Sequence, residues 1–312
     1  MSGLDLVTGG AGFIGSHIVR ALLDQGRQVR VIDNLLTGHK KNIQGLNLDF
    51  IEEDLADPTA AQKACKGVEH VFHLAARPSV PWSFENPELA YQANHQTTLS
   101  LIQAAKASGV RRIVFSSTSA LYGNDPTLPK KEGMPPEPLS PYAKHKGLGE
   151  VALQQACQDS DLTAVCLRYF NVFGPRQDPS SPYSGVISLF IQWALAGRAP
   201  TIFGNGLQTR DFVYVGDVAQ ANLLAATVPL KETTPILNIG RGEQTNLLEL
   251  WSMVCEAAQA PHLPPKYAEA RAGDVLHSVA DTHKAEALLS FHPSVSLLEG
   301  FQRTVASVEN SP

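Results

Sequence analysis

The chain has 312 residues and 43% of them are hydrophobic, so it can bury a large core and hold more than one structural part. Its net charge of −5 gives no electrostatic reason to bind nucleic acid or an anionic membrane. There is no basic-then-apolar leader and no apolar run of about 18 residues, so we expect a protein of the cytoplasm. Its 4 cysteines and 10 histidines lack ligand spacing, which predicts neither a disulfide framework nor a metal site.

The first predicted elements are a strand, a glycine-rich turn and a helix. The apolar run at residues 4–7 leads into TGGAGFIGS at residues 8–16, and apolar residues then resume at helical spacing. Gly9 permits a tight turn, Gly12 lets backbone approach a pyrophosphate, and Gly15 lets the helix pack closely on the strand. This pattern predicts binding of a dinucleotide.

A carboxylate follows the second predicted strand. Residues 29–32 end at Asp33, 18 residues after Gly15, where a carboxylate can accept hydrogen bonds from the adenosine ribose hydroxyls. Asp33 favours NAD over NADP, because a 2′-phosphate would meet a like charge. The nearby Lys40 and Lys41 keep NADP open as the alternative.

Short apolar strands alternate with longer helical patterns in the first half of the chain. Strands predicted at residues 49–52, 71–74, 112–116 and 162–168 indicate a parallel sheet covered by helices on both faces. Asp57 before Pro58 and Asn86 before Pro87 each place an N-cap ahead of a first-turn proline, so helices are expected to begin there. The proline-rich stretch at residues 123–141 is predicted to be a loop.

After about residue 170 the pattern becomes irregular, with an apolar helix at residues 186–195 and a glycine turn at 204–206. We therefore predict an α/β fold, with a Rossmann-like doubly wound parallel sheet and a smaller interwoven C-terminal substrate-binding domain. The predicted Rossmann domain contains residues 1–170, with 212–238 returning to it. The predicted substrate-binding domain contains residues 171–211 and 239–312.

Tyr142 and Lys146 lie one helical turn apart in the segment after the proline-rich loop. An ammonium beside a phenol favours the phenolate, so we expect Lys146 to lower the pKa of Tyr142 toward the range of efficient proton transfer. This pair predicts acid–base catalysis next to the dinucleotide.

Taken in order, the glycine turn, Asp33, the sequence HLAA at residues 73–76, the segment 116–123 and the Tyr142–Lys146 pair resemble the extended short-chain dehydrogenase/reductase family. The sequences RYFNVFGPR at 168–176 and RDFVYVGDV at 210–218 are similar to those of its nucleotide-sugar enzymes, above all UDP-hexose 4-epimerases. The resemblance runs nearly end to end and implies NAD as cofactor and a UDP-sugar as substrate.

The resemblance also implies roles for single residues. Tyr142 would be the acid/base on the sugar 4-hydroxyl, Lys146 would bind the nicotinamide ribose, and Thr118, with Ser117 beside it, would hold or relay the proton. The implied cofactor contacts are Gly9, Gly12, Phe13, Ile14, Gly15, Asp33, Asn34, Asp54, Leu55, Ala75, Ala76, Asn94, Tyr142 and Lys146. The implied substrate contacts are Ser117, Thr118, Asn171, Phe203, Arg210, Arg271, Asp274 and Ser278.

Several of these residues have a structural alternative. Ser117 and Thr118 could both cap the end of their strand, Asp54 could be a loop carboxylate, and Phe203 could belong to the core. The two arginines suit a diphosphate because guanidinium groups offer paired planar donors. Surface ion pairs are the alternative for both arginines.

Two positions bear on the reaction. Dehydratases and decarboxylases of the family resemble one another in an acidic residue near position 120, where this chain has Ala120. Without that acid, re-reduction of the 4-keto sugar from its other face, which is epimerisation, is the simplest outcome. At Ser278 the resemblance implies that a small side chain leaves space for a 2-acetamido group, which favours UDP-N-acetylglucosamine and UDP-N-acetylgalactosamine, alone or alongside UDP-glucose and UDP-galactose.

Other functions stay open at this point. A UDP-glucuronate 4-epimerase or a 4-keto-sugar reductase would share the fold, and a catalytically silent nucleotide-sensing protein is the alternative of another class. The resemblance further implies a homodimer formed through the helix of Tyr142 and a preceding long helix at about residues 87–107. Leu148, Val151 and Ala152 are apolar positions compatible with such an interface.

Overall fold

Seven parallel strands form a central sheet in the computed structural model, which describes residues 3–178, 185–270 and 275–309. Strands β1 to β13 span Leu4–Thr8, Gln28–Ile32, Asp49–Ile51, Val68–His73, Arg112–Thr118, Thr163–Tyr169, Asn171–Phe173, Thr201–Phe203, Thr209–Arg210, Phe212–Tyr214, Ile236–Ile239, Thr245–Asn246 and Lys266–Ala268. The order in the central sheet is β11-β6-β5-β4-β1-β2-β3. Strands β2 and β3 therefore lie on one side of β1, and β4, β5, β6 and β11 lie on the other. Doubly wound sheets bind their ligands at such a switch point, here between β1 and β4.

Helices connect these strands and cover the sheet. Helices α1 to α11 span Phe13–Asp24, Pro58–Cys65, Val80–Glu85, Pro87–Tyr91, Thr97–Ala107, Pro141–Gln158, Val186–Leu195, Val215–Thr227, Leu247–Ala257, His283–Leu289 and Leu297–Glu309. Short 3-10 turns lie at Lys40–Asn42 and Ser119–Tyr122.

Two hydrophobic cores lie on opposite faces of the sheet. One contains side chains of α1, α8 and α10, and the other contains those of α2, α5 and α6. Because both faces are covered, the strands are apolar almost throughout, as the sequence predicted. The predicted Rossmann-like α/β class is confirmed.

A third core belongs to the C-terminal half of the chain. Helices α7, α9 and α11 pack around Phe190, Trp251 and Phe301. The small strand pairs β7–β10, β8–β13 and β9–β12 border this core, while β11 lies beside β6 in the main sheet. The division into residues 1–170 with 212–238, and 171–211 with 239–312, stays a prediction.

The prediction of one continuous helix at residues 87–107 is wrong, because the α-helix is interrupted. A π-helical segment, Gln92–Gln96, separates α4 from α5. The predicted N-cap at Asp57 is present, since its carboxylate accepts a hydrogen bond from the Thr59 N–H at 2.8 Å. Asn86 precedes α4 but makes no side-chain cap. Segments of π-helix are rare and frequently lie at functional sites.

Within the described ranges, no helix has the length and apolar character needed to cross a membrane. The same ranges contain no group of three histidine, cysteine or carboxylate side chains arranged to hold a metal ion.

Candidate active site

The glycine-rich turn after β1 brings three backbone segments together. Gly9 has a φ of 68°, and a Cβ on it would lie 2.8 Å from the Ala75 nitrogen. A Cβ on Gly15 would lie 2.2 Å from the Gly9 carbonyl oxygen. Gly12 is the N-cap of α1 and offers no side-chain cap, so the first N–H groups of the helix point to an open N-terminus that suits an anion.

Phe13 and Ile14 open helix α1 and are half-buried. Both pack against the core formed by α7, α9 and α11. The helix predicted to bind the cofactor phosphates therefore also contacts the half of the chain predicted to bind substrate.

Asp33 lies at the end of β2 and supports the glycine turn. Its carboxylate accepts hydrogen bonds from the backbone N–H of Ala11 at 3.0 Å and of Leu35 at 2.8 Å. Burial raises the pKa of Asp33, and these two hydrogen bonds oppose the shift. The residue thus has a structural role beside its predicted contact with the adenosine ribose.

The predicted adenine contacts are partly brought together. The side-chain amide of Asn34 donates to the Asp54 carboxylate at 3.1 Å, and both residues are exposed. Leu55 is different, because its side chain is buried in the core beneath α2 and α5. A contact of Leu55 with adenine would therefore have to come from its backbone.

A buried hydrogen-bond network supports Ala75 and was not predicted from the sequence. The Thr8 hydroxyl accepts from the Ala75 N–H at 3.1 Å and lies 2.8 Å from Nδ1 of His73. Nε2 of His73 lies 3.0 Å from the Thr98 hydroxyl, which donates to the Asn94 carbonyl. Burial holds the pKa of His73 far below its usual value, so the ring is neutral. Since Thr8 already accepts from backbone, the network favours Nδ1 as acceptor and Nε2–H as donor.

Asn94 lies in the π-helical segment and is 1% exposed. Its side-chain oxygen accepts from the Arg77 N–H at 2.8 Å, which fixes the chain just after Ala76. Its side-chain nitrogen is buried and donates to no partner among the described residues. A buried donor without a partner is costly, so this amide suits a ligand that brings an acceptor.

Thr118, Tyr142 and Lys146 come together where β5 ends and α6 begins. Ser140 caps α6 by accepting from the Ala143 N–H at 3.1 Å. The Thr118 hydroxyl lies close enough to Tyr142 to lower the pKa of its phenol. Thr118 also caps the short 3-10 turn after β5, with its hydroxyl accepting from the Ala120 N–H at 3.1 Å. The roles of Thr118 and Tyr142 in handling the proton stay predictions.

The prediction that Lys146 lowers the pKa of Tyr142 is wrong. Burial raises the pKa of Tyr142 to about 12, the hydrogen bond with Thr118 opposes this, and Lys146 does not contribute to the shift. Lys146 is 2% exposed, and its Nζ lies 4.4 Å from the centre of the Phe115 ring. Burial lowers the pKa of Lys146 to about 7, with Glu150 acting in the opposite direction.

Ser117 does not share the position of Thr118, so its predicted substrate contact is corrected. It is 2% exposed, and its hydroxyl donates to Glu150 at 2.5 Å. Successive side chains of a strand point to opposite faces, so Ser117 and Thr118 cannot both face the same ligand.

Three predicted substrate residues, Asn171, Arg210 and Ser278, lie near one another in the C-terminal half of the chain. Asn171 is exposed at the start of β7, and its N–H donates to the Asp211 carbonyl at 2.9 Å. Arg210 precedes Asp211, and its guanidinium donates to the Thr209 carbonyl at 2.9 Å. The Ser278 N–H donates to the same carbonyl at 3.2 Å, which places Ser278 beside Arg210.

Phe203 is half-buried at the end of β8, and its carbonyl accepts from the Gln208 side chain at 2.8 Å. Arg271 and Asp274, the predicted contacts to diphosphate and uridine ribose, lie outside the described residues.

Asp211 holds this region together and was not predicted as a site residue. It is fully buried, and its carboxylate accepts from the N–H groups of Arg241 at 2.7 Å, Gly242 at 2.9 Å and Ala280 at 3.0 Å. Burial raises its pKa to about 6, and the three hydrogen bonds oppose this. The carboxylate thereby fixes Arg210 relative to the segment that contains Ser278.

The described residues fit a dinucleotide. Side chains larger than hydrogen are excluded at Gly9 and Gly15, the α1 N-terminus is uncapped, and Asn94 offers a buried donor that lacks a partner. When bound, NAD would supply the hydride acceptor beside Tyr142 and Lys146.

Comparisons with known proteins agree with this arrangement. A model of the NAD dependent epimerase/dehydratase family matches residues 6–240. A putative UDP-glucose 4-epimerase of Methanocaldococcus jannaschii is 40% identical over 308 residues, covering 98% of each chain.

Two solved structures are also similar. One is a UDP-N-acetylglucosamine 4-epimerase from Methanobrevibacter ruminantium in complex with UDP-N-acetylmuramic acid, with a TM-score of 0.94, 39% identity and coverage of 99% of this chain and 98% of that one. The other is a Thermus thermophilus UDP-glucose 4-epimerase in complex with NAD, with a TM-score of 0.89, 39% identity and coverage of 99% and 100%. The chain belongs to the NAD-dependent epimerase/dehydratase family, and NAD is its cofactor.

Proposed function

We propose that the chain is a UDP-hexose 4-epimerase that interconverts UDP-N-acetylglucosamine with UDP-N-acetylgalactosamine, UDP-glucose with UDP-galactose, or both. The observation that carries this proposal is the position of Tyr142 on α6, one helical turn before the buried Lys146 and close enough to Thr118 for its hydroxyl to lower the Tyr142 pKa. The names of the relatives in four genera, read with this pair, support the same class of reaction.

In the proposed reaction Tyr142 takes the proton of the sugar 4-hydroxyl while Thr118 holds that hydroxyl through a hydrogen bond. NAD, when bound, would supply reversible hydride transfer at C4. The pKa of about 12 keeps Tyr142 protonated at neutral pH in the chain alone, so a cationic surrounding is needed to make it a base. Lys146 does not shift this pKa, and we propose that its ammonium group holds the nicotinamide ribose. The 4-keto sugar then rotates in the pocket and is reduced on its other face. Tyr142 returns the proton to the alkoxide that forms at C4.

The segment before Tyr122 supports epimerisation over elimination or decarboxylation. Ala120 is exposed in the 3-10 turn next to Thr118, where an acid would be needed to move a C5 proton. A 4-keto-sugar reductase, in contrast, would consume NADPH with each turnover. A UDP-glucuronate 4-epimerase would follow the same chemistry on a uronate, so the sugar is decided by the pocket.

Ser278 is the residue that we propose to select the sugar. It lies beside Thr209 and Arg210 and has a small side chain. Replacing Ser278 by Tyr should reduce kcat/KM for UDP-N-acetylglucosamine by about 10-fold or more and leave UDP-glucose within a few-fold, because the ring would fill the space of the acetamido group. Ser278→Ala is the matched control and should retain both activities. Equal loss on both sugars would contradict this selection.

We also propose a homodimer formed through α6 and the helical segment at residues 87–107, which contains α4 and α5. Leu148 and Val151 lie on α6 with 36% and 47% of their side chains exposed, and Tyr91 of α4 is 41% exposed beside this helix. Replacing Val151 by Glu should convert the dimer to a monomer, which light scattering after size-exclusion chromatography would measure. Val151→Ala is the control. A wild-type protein that runs as a monomer at micromolar concentration would contradict the dimer.

The division into a Rossmann domain and a substrate-binding domain, and residence in the cytoplasm, belong to the same proposal. All four cysteines are unpaired and buried, which agrees with a reducing compartment.

A further inference from the structure

A buried ion pair lies beneath the catalytic residues. Glu150 of α6 and Arg168 of β6 are 4% and 2% exposed. The Arg168 guanidinium donates to both carboxylate oxygens, at 2.9 Å from Nε and 2.7 Å from Nη2. Ser117 donates to the same carboxylate. Ions are costly to bury, and none of these three groups takes part in the reaction described above.

The spacing along α6 connects this pair to the site. Tyr142, Lys146 and Glu150 follow one another at intervals of four residues, so their side chains share one face of the helix. The side chains of Lys146 and Glu150 are both buried. Arg168 fixes the carboxylate in a bidentate geometry, which prevents it from turning away.

The titratable groups that are electrostatically coupled to Lys146 lie on β4, β6 and α6 itself. His73 of β4 is neutral, Cys166 of β6 keeps its proton because burial raises its pKa, and Tyr142 is a phenol. Phe115 of β5 presents its ring to the ammonium. Arg168 is compensated by its partner and does not shift the Lys146 pKa. Among the described residues, Glu150 is thus the carboxylate that acts on Lys146.

We propose that Glu150 is a positioning residue, which Arg168 and Ser117 hold in place so that Lys146 remains an ammonium beside Tyr142. This inference rests on the proposed function. Burial lowers the Lys146 pKa to about 7, while Glu150 and, to a smaller extent, Cys166 raise it. Without the carboxylate, Lys146 would lose its proton at lower pH.

The test replaces Glu150 by Gln. Turnover that needs the ammonium falls as pH rises through the Lys146 pKa, so the basic limb of the kcat/KM profile should move to lower pH by roughly one unit or more. Because E150Q leaves Arg168 unpaired, the double variant Glu150→Gln with Arg168→Met removes both ions and should move the limb in the same direction. Asp217→Asn is the matched control, since Asp217 is another buried carboxylate of structural type, bonded to Ser294. It should lower Tm without moving the profile.

A second readout keeps the inference separate from the proposed reaction. The side-chain carbon next to Nζ can be followed by NMR in lysine-labelled protein, with Lys146→Arg assigning the signal, and its titration should move downward in both Glu150 variants. This measurement needs no substrate. A Lys146 titration and a pH profile that stay in place while only Tm falls would overturn the inference. Wild-type protein without turnover would refute the proposed function but leave this titration decisive.

Discussion

Tyr142→Phe is expected to abolish epimerisation while NAD stays bound. The phenyl ring fills the same space, so packing of α6 is retained, but the hydroxyl that transfers the C4 proton is lost. Removal of a positioned acid–base group costs about 10²- to 10⁴-fold in kcat. The loss would be measured by chromatographic separation of the two epimers, and retained NAD by its absorbance after denaturation of the purified protein.

Tyr122→Phe provides the matched control. Tyr122 is buried, and its hydroxyl donates to Asn238 at 2.6 Å. This hydroxyl has no predicted contact with the sugar or the cofactor. The lost hydrogen bond should lower stability by about 1 kcal/mol and leave kcat within a few-fold. A Tyr142→Phe enzyme with more than a tenth of wild-type turnover would contradict the role assigned to its hydroxyl.

Gly15→Ala is expected to destroy the cofactor site. The added Cβ would lie 2.2 Å from the Gly9 carbonyl oxygen and 2.9 Å from Gly10 Cα, and neither backbone atom can move without displacing the turn. Overpacking of this kind costs about 3 kcal/mol. We expect a drop in Tm and purified protein without NAD, measured by thermal unfolding and by cofactor content.

Gly133 is the control for this prediction. It lies in the loop before α6, and a Cβ there would meet no atom within 4 Å. Gly133→Ala should keep wild-type Tm and NAD content. If Gly15→Ala also kept both, the close contact between the turn and α1 would be refuted.

Much of the fold follows from local patterns. Helix α7 begins and ends at the predicted residues, because Gly185 precedes a mostly apolar run and Gly197, with a φ of 61°, follows it. The strands of the central sheet were likewise visible as short apolar runs. The break at Gln92–Gln96 was not, since it depends on tertiary hydrogen bonds such as the one from Arg77 to Asn94.

Parts of the site could be predicted for the same reason and others could not. The glycine turn, Asp33 and the Tyr142–Lys146 spacing are local features. Asp211 and the His73 network depend on partners far apart in sequence, which only the strand order brings together. The pKa of Tyr142 is raised instead of lowered, because its shift is set mainly by burial and Lys146 does not contribute. Ser117 could have been separated from Thr118 by sequence alone, because successive side chains of a strand point to opposite faces of the sheet.

The proposed 4-epimerase activity can be tested by incubating the purified protein with each of four sugar nucleotides and no added cofactor. The four are UDP-N-acetylglucosamine, UDP-N-acetylgalactosamine, UDP-glucose and UDP-galactose. We expect at least one pair of epimers to be interconverted, with both starting sugars reaching the same equilibrium mixture and no net change in NADH absorbance. No turnover of any of the four sugars, or turnover that requires and consumes added NADPH, would contradict it.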